Sequence, residues 1–268
     1  MTRPLSLPDY GSPPLNEVVL GIQFRLANAY QQIRAGEVWG LFKDRFPIVE
    51  EQPRLPSSFE TFGPVQVQRN QIEIVEGAQH DRFWFLTLKR DELIQFQSDR
   101  LLHNWRKVDG VETRYPRFEL MEETLGKQAL KLEAYFNSLE PQSLEINQVE
   151  ATYINHFPID EDRQFKFLSD YVRLIEFEIE PDDCTIRYRR TIKDSNGNPT
   201  GRLYCESNVG ITPKGKLLLT LNLTVRGTPS DSSIGAAMSY LRNGRDMIVN
   251  EFTTITTDKA HRLWERTR

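Results

Sequence analysis

The chain predicts an α+β fold in which an antiparallel sheet packs on two long helices, and three observations predict it. Short runs with apolar residues at every second position are joined by brief polar links. Two long stretches carry apolar residues every third or fourth position. The order strand, helix, strand meander, long helix occurs twice.

Residues 1–13 carry Pro4, Pro8 and Pro13 without periodicity, which predicts a loosely packed, flexible arm. In "LNEVVLGIQFRL", Val18, Leu20, Ile22 and Phe24 alternate with Val19, Gly21, Gln23 and Arg25, as a strand requires. A helix is expected over 36–45, with Val38, Trp39, Leu41 and Phe42 on one side and Pro47 ending it. Extended runs follow: "VQVQRN", "QIEIVE", "RFWFLTL", "ELIQFQS" and "RLLHNWRKV", with "KRDE" and "SDR" as hairpin links. From Pro116 to Leu139 the period becomes helical, with Phe118, Met121, Leu125, Ala129, Leu132 and Phe136 as the stripe.

The second half predicts a strand in "LEINQVEATYINHF" and a helix in "EDRQFKFLSDYVRLI", where Asp160–Asp162 favour a helix start over a metal site. Strands "CTIRYRRTI", "GRLYCESNV" and "KLLLTLNLTVR" come next, the first two joined at Asn196-Gly197, a hairpin signal. A helix from Ser232 to Thr256 and a short terminal helix with Leu263 and Trp264 close the chain. The expected organisation is an arm (1–13), a first β-α-β-α half (14–140) and a second (141–268), an internal duplication of a β-α-β(3–5)-α unit. That element order resembles the helix-grip and TATA-binding-protein-like groups, which implies a curved antiparallel sheet with long helices on one face.

Composition bounds the function. With 268 residues, 38% of them hydrophobic and 27% charged, the chain is long and apolar enough for a substantial core. A net charge of −4 provides no global field for nucleic acid or anionic lipid. No run approaches the roughly 18 apolar residues of a membrane span, and the N-terminus lacks a signal-peptide core, so no membrane partner and a cytoplasmic location are expected. Cys184 and Cys205, the only two cysteines, are expected to be reduced thiols. Charge segregates: residues 140–183 hold twelve acidic and three basic side chains, and 184–226 hold eight basic and two acidic.

Parity assigns faces. In "KLLLTLNLTVR", Leu217, Leu219, Leu221, Leu223 and Val225 should meet the helices. The same rule buries Cys184, Ile186, Tyr188, Leu203, Cys205 and Val209, and turns Arg187, Arg189, Arg202, Tyr204 and Glu206 outward. In the first half Ile94, Phe96, Leu101 and Trp105 face inward beside a half-buried His103, while Gln95, Gln97, Asn104 and Arg106 face out. Gln23, Arg25, Gln148 and Thr152 would share that free face. Amides and guanidinium groups present paired donors and acceptors, so Gln95, Gln97, Asn104, Arg106, Arg187, Arg189, Arg202 and Tyr204 are a candidate recognition surface. A solvated sheet face is the competing reading.

Catalytic signatures are missing from the sequence. His80, His103, His156 and His261 lie far apart with no metal-type spacing, and no phosphate loop, dinucleotide fingerprint or nucleophile elbow occurs. No cofactor or metal is expected. His103, Tyr153, Asn155 and His156 are retained as an alternative pocket between sheet and helix, for binding or hydrolysing a small molecule.

The segments "PPLNEVVLGIQF", "RFWFLTL", "LIQFQSDRLLHNWRKV", "RYPRFE" and "EATYINHF" together resemble a sporadically distributed family of uncharacterised bacterial proteins of about this length. The resemblance implies a bacterial cytoplasmic protein, its patchy occurrence suits mobile or defence-related gene clusters, and it brings no catalytic residue set. The expectation is a non-enzymatic binding protein for a macromolecular partner, a protein before a nucleic acid, in an antitoxin-like or defence-associated role. A small-molecule pocket protein is the alternative.

Overall fold

Pairing with a strand on each side places β1 (Leu15–Phe24) at the centre of the sheet, with Val18, Leu20, Ile22 and Phe24 buried on the helix side and Val19 and Gln23 buried on the other. The computed structural model describes residues 7–25, 27, 29–62, 81–159, 167–173, 184–212 and 215–268. Among these, β1 is followed by α1 (Ala35–Gly40), β2 (Ile48–Gln52), β3 (Arg82–Leu86), β4 (Glu92–Gln97), β5 (Arg100–Arg106) and α2 (Phe118–Leu139). Then come β6 (Ile146–Pro158), β7 (Thr185–Lys193), β8 (Pro199–Ile211), β9 (Leu217–Gly227), α3 (Ile234–Ile255) and α4 (Asp258–Leu263).

The described strands form one antiparallel sheet in the order β2-β3-β4-β5-β1-β6-β9-β8-β7. β1 and β6 pair at the middle, with Val19 opposite Thr152, so the sheet runs unbroken from one half of the chain to the other. On each flank the last strand of the meander, β5 or β9, lies next to the centre, and a long helix follows it. α2 packs on β1 and β5, α3 packs on β6 and β9, and the helices touch each other. Arg245 Nη1 donates to Glu119 Oε1 at 2.8 Å, and Arg242 pairs with Glu122, across the helix seam. Side chains cap the later helices: Ser233 Oγ accepts from Ala236 N and Thr257 Oγ1 from Ala260 N, both at 3.1 Å. No helix of the described residues is long and apolar enough to cross a membrane.

Several elements differ from expectation. β2, "IVEEQ", is a short glutamate-bearing edge strand, a composition that protects an edge and hides a strand from pattern reading. α1 stops at Gly40, and residues 41–45 continue as turns beneath a bond from Trp39 Nε1 to Phe46 O. Where a helix was expected over 161–175, the described residues 167–173 hold only a 3₁₀ turn, Leu168–Asp170. There Arg173 N bonds Ile255 O and Val172 bridges Thr256, so the backbone is committed to the end of α3. The remainder of that helix, the strands expected in "VQVQRN" and "QIEIVE", Asp160–Asp162 and His80 fall outside the described residues.

The described part of the N-terminal arm is docked rather than loose. Tyr10 is buried against Phe252, His261 and Trp264, and Gly11 N and Ser12 N bond the carbonyls of Glu265 and Trp264. Prolines removed the periodicity there without removing the buried anchors, Leu7 and Tyr10.

Gly201 and Gly227 face each other across β8 and β9 beneath Tyr240. A Cβ on Gly227 would overlap the Tyr240 hydroxyl and the Thr200 carbonyl oxygen and lie 2.6 Å from Gly201 Cα. Gly227→Ala should therefore cost about 1–3 kcal/mol through overpacking, read as a lower urea midpoint. An unchanged midpoint would contradict this packing.

Candidate binding face of the sheet

The helices cover one face of the sheet and leave the other to the polar residues of each strand. Register places Gln97 opposite Arg100, Arg100 opposite Gln23, and Gln23 opposite Gln148, a polar row across β4, β5, β1 and β6. Arg226 opposite Arg202 continues the same face on β9 and β8. Parity thus sets Gln95, Gln97, Asn104, Arg106, Arg187, Arg189, Arg202 and Tyr204 on the face away from the helices.

These side chains are not equally open. Gln95 and Asn104 belong to a buried ladder: Arg82 Nη1 and Trp84 Nε1 donate to Gln95 Oε1 at 2.5 and 3.1 Å. Gln95 Nε2 donates to Asn104 Oδ1 at 3.1 Å, and Asn104 Nδ2 donates to Glu17 Oε1 at 2.6 Å. Arg106 donates from Nε to Arg90 O at 3.0 Å and lies over the Trp84 ring. Arg187 is exposed and pairs with Glu206 at 2.9 Å, and Arg189 is exposed beside it.

The rest of the face is covered by the chain itself. Residues 53–62, "PRLPSSFETF", follow β2 and cross the sheet as a strap with no regular structure. Arg82 Nε donates to Pro53 O at 3.0 Å, and Gln97 receives from Leu55 N and donates to Leu55 O, both at 2.9 Å. Arg100 Nη2 donates to Pro56 O at 2.8 Å and Gln23 Oε1 accepts from Ser58 N at 3.0 Å. Arg202 Nη2 donates to Thr61 O at 2.8 Å. Two strap side chains are also gripped. Ser57 Oγ donates to Asp99 Oδ2 at 2.6 Å, and Glu60 accepts from the Tyr204 hydroxyl at 2.6 and 2.8 Å beside Arg202 and Arg226.

Electrostatics follow from the cover. Burial, and the Glu60 carboxylate it donates to, push the Tyr204 phenol up to about 12, so it remains a donor at neutral pH. Burial alone would lower the Arg226 guanidinium, yet Glu150 and Glu60 hold it above its ordinary value. Buried cations here are paired, as low-polarity surroundings require.

The alternative pocket residues do not converge on one site. Tyr153 and Asn155 line a cleft between sheet and helices, with Tyr115, Arg245, Phe252 and Asp9, that holds about 570 Å³ of free space including its mouth. There the Tyr153 and Tyr115 hydroxyls are 3.3 Å apart, and Asn155 Nδ2 donates to Leu221 O at 3.1 Å. His103 lies elsewhere under α2, 1% exposed, its Nδ1 3.3 Å from Gln128 Nε2. His156 faces the opposite side of the sheet, where it lines an open trough with Arg106, Lys107, Asn208, Lys216 and Thr220. Burial and Lys107 lower its pKa. Burial raises the Cys205 thiol to about 11, and both Cys184 and Cys205 are free thiols. Among the described residues no group of three or more His, Cys, Asp or Glu side chains is placed to hold a metal ion.

Sequence reasoning missed Asp99, Arg100, Arg226 and the strap. Parity carried one residue past Val225 would have turned Arg226 outward. The strap gives no such signal, because two prolines, hydroxyls and a lone glutamate read as a linker. No protein-family model matches the chain, and no curated protein matches it significantly.

Proposed function

We propose that this chain is a non-enzymatic binding protein that holds a protein partner on the polar face of its sheet. The observation that carries the reading is that face side chains make six hydrogen bonds to the backbone of residues 53–62, an extended peptide. Side-chain amides and guanidinium groups that grip a main chain in this way suit recognition of extended polypeptide. In the same proposal the two halves are a duplicated β-α-β(3–5)-α unit of helix-grip or TATA-binding-protein-like kind. The resemblance to the sporadic bacterial family adds an antitoxin-like or defence-associated role in the cytoplasm.

The test is native mass spectrometry on protein purified gently from its own host, with three outward-facing arginines altered in parallel. A stoichiometric protein companion should be present, and should be lost in Arg106→Ala/Arg187→Ala/Arg189→Ala while the variant still melts in a single cooperative transition. A companion retained by the triple variant, or a bare chain, would overturn the reading. The cleft lined by Tyr153, Asn155 and Arg245 favours a second reading, a bound small molecule, which predicts a raised melting temperature with the right metabolite.

A further inference from the structure

We infer that residues 53–62 stand on this chain where the partner's segment would lie, and that this segment is an extended peptide with a hydroxyl side chain three residues before a carboxylate. The inference rests on the binding reading above and names the ligand chemistry of that same face.

The strap is held differently from every element around it. None of its residues is buried as a whole, and none belongs to the hydrophobic core. Phe59 and Phe62 are 58% and 39% exposed. Among the described residues no backbone-to-backbone hydrogen bond ties it to the sheet. Its attachment is therefore polar, and polar attachments of exposed segments open at low free-energy cost.

The sheet beneath shows the complementary property. Gln23, Gln97, Asp99, Arg100 and Arg202 are buried, and it is the strap that shields them. Such a set of amides and charges is expensive to seal unless something pairs it.

Two side chains give the strap its identity. The Glu60 side chain is 4% exposed and is clasped by Tyr204, Arg202 and Arg226, a cationic pocket for one carboxylate. Ser57 is received by Asp99, an acceptor that selects a donor. Backbone contacts fix an extended course, and these two fix the register.

The fit leaves room. Beside the strap lies a cleft of about 700 Å³ including its open mouth, lined by Gln23, Arg100, Gln148 and Arg226. Gln148 is buried and its Oε1 has no hydrogen-bond partner. A peptide with a larger side chain at the Ser58 position, carrying a donor, would fill that space and meet that acceptor.

The test uses the full chain and the labelled peptide PRLPSSFETF, followed by fluorescence anisotropy. A tethered segment competes at an effective concentration of order millimolar, so the unaltered chain should bind the free peptide weakly. Replacing 53–62 by a Gly/Ser stretch of equal length should tighten binding about 10-fold or more. Adding Gln97→Ala and Arg202→Ala to that variant should abolish the gain, as should a peptide carrying Glu60→Gln.

The milder full-chain variant Ser57→Ala/Glu60→Gln should show a smaller gain in the same direction, and it keeps the test decisive should the replacement misfold. Folded variants that bind no more tightly than the unaltered chain would overturn the inference. So would a concentration-dependent dimer that disappears with the strap, which would assign the face to a second copy's strap. The two readings fail separately. A host companion that depends on Arg106, Arg187 and Arg189, with no peptide binding, would remove only the strap inference. Peptide binding with no companion would remove the proposed protein partner and leave only the face's preference for an extended peptide of this chemistry.

Discussion

Phe157→Ala is expected to cost about 3–5 kcal/mol, the range for deleting a large buried aromatic ring. Phe157 is wholly buried at the end of β6, stacked on Tyr171 at 5.1 Å and Trp264 at 5.2 Å between centroids. Trp264 in turn meets Phe252 at 5.2 Å, so one ring joins β6, the 3₁₀ turn, α3 and the C-terminal segment. Removing it leaves a cavity whose walls are rigid rings from three elements, which limits collapse. A thermal melt should fall by about 10 °C, since each kcal/mol shifts a chain of this size by roughly 2–4 °C. Phe59→Ala, with its ring exposed on the strap, should leave the melt within about 1 °C, because unburied side chains away from such features change stability little. Equal effects of the two substitutions would contradict the packing described.

The second large effect is a pH dependence seated at His103. Burial, and then the Arg45 guanidinium, push its pKa down to about 3. Glu92 Oε2 lies 3.7 Å from Nε2, but that carboxylate bonds Arg45 at 2.5 Å and its own pKa is raised by burial, so it does not hold the imidazole charged. The folded pKa lies below the unfolded one, so the unfolded chain binds the extra proton. Stability from this residue is full above about pH 6.5 and is lost as pH falls toward 3. Between pH 7.5 and 5.0 the loss should reach about 2 kcal/mol, from an unfolded pKa of roughly 6.5. His156 and His261, also lowered, act in the same direction, and Glu92, raised, acts against them. The comparison is therefore the difference between the unaltered chain and His103→Gln in urea unfolding at both pH values. A variant that loses as much stability as the unaltered chain would place the titration elsewhere.

The sheet's faces were legible because alternation is a local property. Leu219, Leu221, Leu223 and Val225 announce their side of β9, and pairing transmits the same parity to β8 and β6. The central pairing of β1 with β6 was not legible, since it is settled by contacts between residues such as Leu20 and Ala151, far apart in sequence. The polar row could be placed on the free face but not found to be covered. Ser58 meets Gln23 across 35 residues and Glu60 meets Tyr204 across 144, and no periodicity encodes a side chain bonding a distant main chain. His103 was readable as inward-facing beside Leu101 and Trp105. Its complete burial depends on Gln128 of α2, which lies over it and which strand parity cannot see.

The position of β1 bears on how the chain is made. Its second edge stays unpaired until β6 exists, and 52 residues separate the end of β5 at Arg106 from the end of β6 at Pro158. At about 5–20 residues per second a ribosome needs roughly 3–10 s to cross that interval. During it the nascent chain presents ten residues of apolar-faced strand with free amides and carbonyls, the kind of edge that recruits another chain. Among the strands described, the innermost one is thus the most hazardous during synthesis, and its safety rests on prompt arrival of Ile146–Pro158.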